Sequence, residues 1–172
     1  LYYCSWDNRH KLGSRTPSDL PWNSAFTTRA YQDFQLGQID ELLRGYGPVG
    51  QLWIDIPHVL PRDFRQALYE HATSLVPRLV VVMNHHVGLK EAVEAAPASW
   101  PTDINPLERT LPGYAEPASR VIEGSRYAMP AEVCDTIGRE WFHVDGDGPR
   151  SDAELLGIRL LCHARGANLL LN

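Results

Sequence analysis

Two carboxylates stand out in the 172-residue sequence because of what surrounds them. In "GQLWIDIPHVL", residues 50–60, Asp55 follows Leu52, Trp53 and Ile54 in a run that otherwise reads as a buried strand. Carboxylates are among the side chains least often fully buried, so an acid at this place calls for a partner or a pocket. Trp53 lies two residues before Asp55 and points to the same side of an extended chain. An aromatic face beside a carboxylate suits a sugar ring, whose C–H face stacks on the aromatic while its reacting carbon meets the acid. A structural role is equally open: the aspartate could cap the following helix or pair with Arg62.

Glycoside hydrolysis needs a second carboxyl group to protonate the departing oxygen. Between residues 85 and 131 the sequence offers Glu91, Glu94, Glu108, Glu116 and Glu123. Glu91 and Glu94 fall in "LKEAVEAA", a helix-like stretch whose charges should face solvent. Glu108 sits in "WPTDINPLERTLPG" among Trp100, Leu107 and Leu111. Such apolar company favours the protonated carboxyl that a general acid requires. His85 and His86 are adjacent and would point opposite ways on an extended segment, so they suit pocket lining or hydrogen bonding better than a shared metal. His58, His71, His143 and His163 carry no motif and read as surface or helix-face histidines. Cys4, Cys134 and Cys162 fit neither a metal motif nor a disulfide framework and read as small buried hydrophobes. No metal or cofactor is expected.

The elements that must position these groups alternate. "LYYCSW" reads as a strand, and the Gly-, Pro- and Ser-rich stretch "HKLGSRTPSDLPWNS" as a loop. Thr28 can cap a helix carrying Tyr31, Phe34, Gln38, Leu42 and Leu43 near one face, with Gly45 or Gly47 ending it. After the Asp55 strand, Pro61 opens a helix with Phe64, Leu68, Ala72 and Leu75 at helical spacing. "LVVVMN", residues 79–84, reads as a strand buried on both faces. Residues 85–131 are an irregular excursion. Ser151 and Glu154 form a capping box for a helix running to Gly166, and "ANLLL" supplies a last strand. This order predicts an α/β fold with parallel strands. No Gly-rich phosphate loop follows a strand, which favours a barrel over a nucleotide-binding doubly wound sheet. In either, chemistry gathers at the carboxyl ends of the strands, where Asp55, Asn84 and Asn172 lie.

The composition, 44% hydrophobic and 22% charged, is that of a globular domain. A formal charge of -5 with scattered Lys and Arg gives no footprint for nucleic acid. No run approaches the roughly 20 apolar residues that cross a bilayer. Both ends of the sequence fall inside strand-like runs, so the chain reads as a fragment.

Several stretches in order resemble the α-L-fucosidases, the retaining glycosidases of glycoside hydrolase family 29. "YYCSWDN", "LLRGYGP" and "QLWID" are similar to the family's Tyr-Tyr-Ser strand, its Tyr-Gly-Pro turn and its Leu-Trp-x-Asp strand. "EVCDTIGREWF" is similar to its Glu-x-Cys-x-(Ser/Thr)-Ile segment with a following aromatic pair, and "SDAELLGIRLLCHARGANLLLN" to its closing helix and strand. The resemblance implies a partial (β/α)8 TIM-like barrel, with residues 1–172 a single incomplete catalytic domain lacking its first strands and any following β-sandwich. Five strands are recognisable, too few to close such a barrel, so the isolated chain is expected to be insoluble or inactive.

The resemblance also implies release of α-L-fucose from a fucosylated oligosaccharide or glycoconjugate by double displacement. Asp55 falls on the nucleophile and Trp53 on the strand tryptophan. Aligning a glutamate followed by leucine and proline selects Glu108 as general acid/base, expected roughly 5 to 5.5 Å from Asp55. Trp6, His10, Asn84, His86 and Trp141 are the expected sugar-binding residues; Phe142 is expected to wall the pocket and Glu132 to orient neighbours. A secreted, periplasmic or lysosomal setting follows from the same resemblance. The sequence departs from it at Asn8, where many members have tryptophan. It departs again at Asn84-His85-His86, where many have Asn-Asp-Arg. His86 in place of that arginine keeps two alternatives open: a carbohydrate-binding homologue without turnover, or a retaining glycosidase for another sugar.

Overall fold

The computed structural model describes residues 1–6, 25–88, 92–113 and 116–172. They form two compact units, Leu1–Val87 with Ala95–Asp103, and Gly88–Glu94 with Ile104–Asn172.

The first unit runs β1 (Tyr2–Cys4), α1 (Arg29–Gly45), β2 (Gln51–Asp55), α2 (Arg62–Leu75) and β3 (Val80–Asn84). The strands pair in parallel in the order β1-β2-β3. Their register aligns Cys4, Asp55 and Asn84 in one row across the carboxyl ends. Alternation then separates two faces. Leu52, Ile54, Val81 and Met83 enter the core with Leu68 and Ala72 of α2 and Tyr31, Ile39 and Leu43 of α1. Each such fully buried aliphatic side chain contributes about 1.5–3 kcal/mol. Trp53 and Asp55 are left on the opposite face.

As expected, Thr28 caps α1, its hydroxyl accepting from the Tyr31 amide at 3.2 Å, and the helix ends at Gly45. Its buried stripe is Tyr31, Gln35, Ile39 and Leu43. Of the expected face, Tyr31 and Leu43 are buried, Phe34 packs half-buried against the core, and Gln38 and Leu42 are half-buried, while the buried Gln35 amide donates to the Ser5 hydroxyl at 3.2 Å. Pro61 stands at the N-cap of α2, which buries Phe64, Leu68 and Ala72.

The second unit contains β4 (Ala92–Val93), β5 (Asn105–Glu108), β6 (Ser119–Ile122), β7 (Ser125–Ala128), β8 (Ala131–Asp135), α3 (Asp152–Ala164) and β9 (Ala167–Leu171). A parallel sheet runs β5-β8-β9 and a small second sheet runs β4-β6-β7. The capping box at α3 is present as expected, with Ser151 and Glu154 bonding reciprocally. Leu107, Ala131, Val133, Cys162 and Ala167 form the core.

The excursion carries more regular structure than its prolines imply. Ala92–Val93 is a strand pairing with β6, which corrects the helix-like reading of "LKEAVEAA". β6 and β7 make a hairpin turned by Glu123 and Gly124, both at positive φ, so Glu123 is a turn residue. Parallel strands alternating with helices give an open β/α arrangement of the partial TIM-barrel type. No described helix is long and apolar enough to cross a membrane. The three cysteines are unbridged: Cys134 and Cys162 are buried, Cys4 half-buried.

Candidate functional site

In the first unit the polar groups converge on Asp55. The strand ends there because Ile56 takes a left-handed conformation (φ 54°) and leads into a 3-10 turn at Pro57–Val59. The half-buried carboxylate accepts three hydrogen bonds. Tyr2 donates its hydroxyl to Oδ2 at 2.6 Å. Asn84 donates Nδ2 to Oδ1 at 2.8 Å, and the Ile56 amide donates to Oδ1 at 3.0 Å. Among the described residues no cation pairs with it, and it bonds Asn84 and Tyr2 instead of Arg62. The carboxylate is therefore oriented without being neutralised. It does accept from the next amide, so the capping alternative is met in part.

Trp53 is buried, and Tyr2 stacks on it with ring centroids 5.7 Å apart and planes 27° from parallel. Tyr2 is 60% exposed, so the aromatic surface offered to a ligand is tyrosine laid over tryptophan. Partial burial and the bond to Asp55 push the Tyr2 phenol well above its ordinary value, which keeps it a donor. Burial, aided by Asp55, likewise raises the Cys4 thiol. Trp6 is half-buried and meets Phe26 edge-on. His10 lies outside the described residues.

The histidines differ from the expectation. His58 is buried in the 3-10 turn, with its ring 5.7 Å from that of His85. This corrects its reading as a surface histidine. Burial lowers both below the ordinary histidine value. His85 pushes His58 further down against the opposing pull of Asp55, while His86 and Arg65 act on His85. His86 is exposed. His71 is half-buried and bonds Asp40 at 3.0 Å, tying α2 to α1. Arg65 is buried and donates to the carbonyls of Leu60 and Trp100 at 2.5 and 2.9 Å, fixing the turn beyond Asp55. Burial brings its guanidinium down to about 10.

In the second unit Glu108 ends β5 and is exposed. Its expected apolar company is only partly there. Leu107 points the other way into the core, and Leu111 is 36% exposed. Glu116 is a structural group, paired with the fully buried Arg120 at 2.7 Å and accepting from Asn105 Nδ2 at 3.1 Å. Glu132 is buried within β8, Trp141 is half-buried, and Phe142 is 84% exposed. Asp135, at the end of β8, is buried and pairs with Arg150 at 3.1 Å.

Sequence reasoning passed over Tyr2, Arg65, Arg109 and Asp135. Tyr2 meets Trp53 only through the parallel register, which no local pattern states. The repeated Tyr-Tyr at the head of a strand was the available signal.

No family model matches the sequence, and no curated protein matches it. Solved structures do. The chain is similar to α-L-fucosidase isoenzyme 1 from Paenibacillus thiaminolyticus, with TM-score 0.63 and 24% identity over 90% of this chain and 35% of that one. It is similar to α-L-fucosidase AlfC from Lactobacillus casei in complex with α-L-fucose, with TM-score 0.59 and 20% identity over 83% and 38%. It is also similar to the Thermotoga maritima α-fucosidase, with TM-score 0.60 and 22% identity over 99% and 34%. Over about a third of the length of these structures, the chain shares the fold of the α-L-fucosidases.

Proposed function

We propose that this chain is part of the catalytic barrel of a retaining exo-glycosidase that releases α-L-fucose from fucosylated glycans. The observation that carries the reading is the Asp55 carboxylate, held by three donors at a strand's carboxyl end with no cation paired to it among the described residues. A nucleophile needs a fixed direction, and these three bonds support that role.

In the first step an Asp55 oxygen attacks the anomeric carbon while the bond to the leaving oxygen breaks, and Glu108 donates its proton to that oxygen. In the second, Glu108 takes a proton from water, the water oxygen bonds the anomeric carbon, and Asp55 leaves as carboxylate. Two inversions retain the configuration. Tyr2 and Asn84 hold the nucleophile, and Tyr2 over Trp53 supports the apolar face of the sugar. An exported or lysosomal setting belongs to the same reading.

Asp55→Asn tests it, on the protein assayed with a chromogenic α-L-fucoside. Turnover should fall by about a thousandfold or more, as for loss of a covalent nucleophile, while fucose binding persists. Substantial residual turnover would move the nucleophile elsewhere. His86, exposed where an arginine is common in the resembling family, favours a second reading: a carbohydrate-binding homologue or a glycosidase for another sugar. A panel of chromogenic glycosides separates these outcomes.

A further inference from the structure

A second cluster lies at the carboxyl ends of β5 and β8. Arg109, the first residue beyond β5, is held at φ 48°, and its amide donates to the Cys134 carbonyl at 2.8 Å. A non-glycine residue in the left-handed region needs its surroundings to hold it there, and such residues gather at functional sites. Its guanidinium, 46% exposed, lies over the Trp141 ring at 5.9 Å from the centroid.

The carboxylate that its guanidinium approaches is already engaged. Asp135 stands 3.8 Å from Arg109, but its oxygens accept from the Thr136 amide at 2.8 Å and pair with Arg150 at 3.1 Å. Two guanidinium groups thus share one buried carboxylate, and the Arg109 guanidinium donates no hydrogen bond to a described residue. A planar fork with unspent donors remains beside an aromatic ring.

The platform is rigidly held. Asn172 Nδ2 donates to the Trp141 carbonyl at 3.1 Å. Asp147 accepts from the amides of Arg139 and Glu140, just ahead of Trp141. Gly138 leaves room for that carboxylate, since a Cβ there would stand 2.5 Å from Asp147 Oδ2. Such fixing lowers the ordering cost of binding.

We infer that Arg109 and Trp141 form a second subsite that binds a carboxylate-bearing sugar, a uronic acid, on the leaving-group side of the proposed cleavage. The planar guanidinium receives the carboxylate through two parallel N–H···O bonds, a match that a lone hydroxyl does not offer. Trp141 supports the sugar ring. The leaving-group placement rests on Glu108, the neighbour of Arg109, being the proton donor; binding of the uronic acid does not.

Calorimetric titration of the protein with D-glucuronate and with D-glucose tests the subsite without turnover. Glucuronate should bind about tenfold or more tighter, the scale of one charge-assisted pair. Arg109→Gln should remove that preference. Arg109→Lys, which keeps the charge without the fork, guards against a variant that fails to fold and should retain part of it. Equal binding of the two sugars, or a preference that survives in Arg109→Gln, overturns the proposal. The assay also separates the two readings. A glucuronate preference without cleavage of any fucoside leaves the subsite standing and sinks the hydrolase, whereas fucoside cleavage without the preference does the reverse.

Discussion

At the scale of the residue, Tyr2 is the most informative side chain near Asp55. Its hydroxyl donates to the carboxylate at 2.6 Å while its ring covers Trp53. Tyr2→Phe keeps the ring and removes the donor, so turnover should fall roughly tenfold, the kinetic equivalent of a charge-assisted bond of about 1.5 kcal/mol. Steady-state kinetics check this, and unchanged kcat/KM would leave Tyr2 a packing residue. His58 makes a prediction in pH. Burial depresses it in the fold, so its contribution to stability is present above the ordinary histidine value and is lost as pH falls through the lower folded value. The urea midpoint should therefore drop between about pH 7 and pH 5, across the ordinary histidine range, and His58→Gln should flatten that slope. Asp55 and Trp53 were legible in the sequence because an acid interrupts an apolar strand pattern. His58 was not, because a turn that buries a histidine against His85 leaves no local periodicity.

At the scale of the element, the turn after β2 concentrates strain and aim. Ile56 is β-branched and sits at φ 54°, a conformation that costs a branched residue about 1–2 kcal/mol and costs glycine almost nothing. Its amide is also one of the three donors to Asp55. Ile56→Gly should release backbone strain yet loosen the direction of the carboxylate, and its loss of side-chain packing offsets part of the gain. The expected result is a lower kcat with little change in thermal midpoint; a large fall in midpoint would show packing to dominate. The Glu116–Arg120 pair is a contrasting device, because it fixes the excursion by burying both charges. Glu116→Ala would strand a guanidinium that is fully buried and should cost about 3–5 kcal/mol in chemical denaturation. The helices were read well from caps and spacing, as Thr28, Pro61 and the Ser151–Glu154 box show. The short strands β4 to β7 were not. Two to four residues are too few to display a period of two, and β4 and β5 pair with strands brought from farther along the chain.

At the scale of the whole molecule, alternation of strand and helix identified the fold because every link in it is local. What the sequence could not display is which elements meet. Nine strands are described where five were recognisable, six of them in the two parallel sheets. The outer side of α3 bears on how the chain behaves alone. Leu156 and Leu160 are 53% and 58% exposed, and with Leu169 and Leu171 of β9 they border a groove of about 630 Å³. β9 is also an edge strand of its sheet, and an exposed apolar edge invites pairing with another chain. The 172-residue chain expressed alone should therefore self-associate, as measured by light scattering at increasing concentration. Leu156→Glu together with Leu160→Lys should shift it toward monomer, since both side chains stand more than half outside the core and their loss leaves no cavity. If the double variant associates as strongly as the parent, the apolar face of α3 is not what joins the copies, and the free edge of β9 becomes the remaining cause. Leu171→Pro then tests that edge: Asn172 bonds Asp135 and Ile137 on the β8 side, so the amide one residue earlier faces the free side, where proline removes a donor and obstructs pairing with another chain.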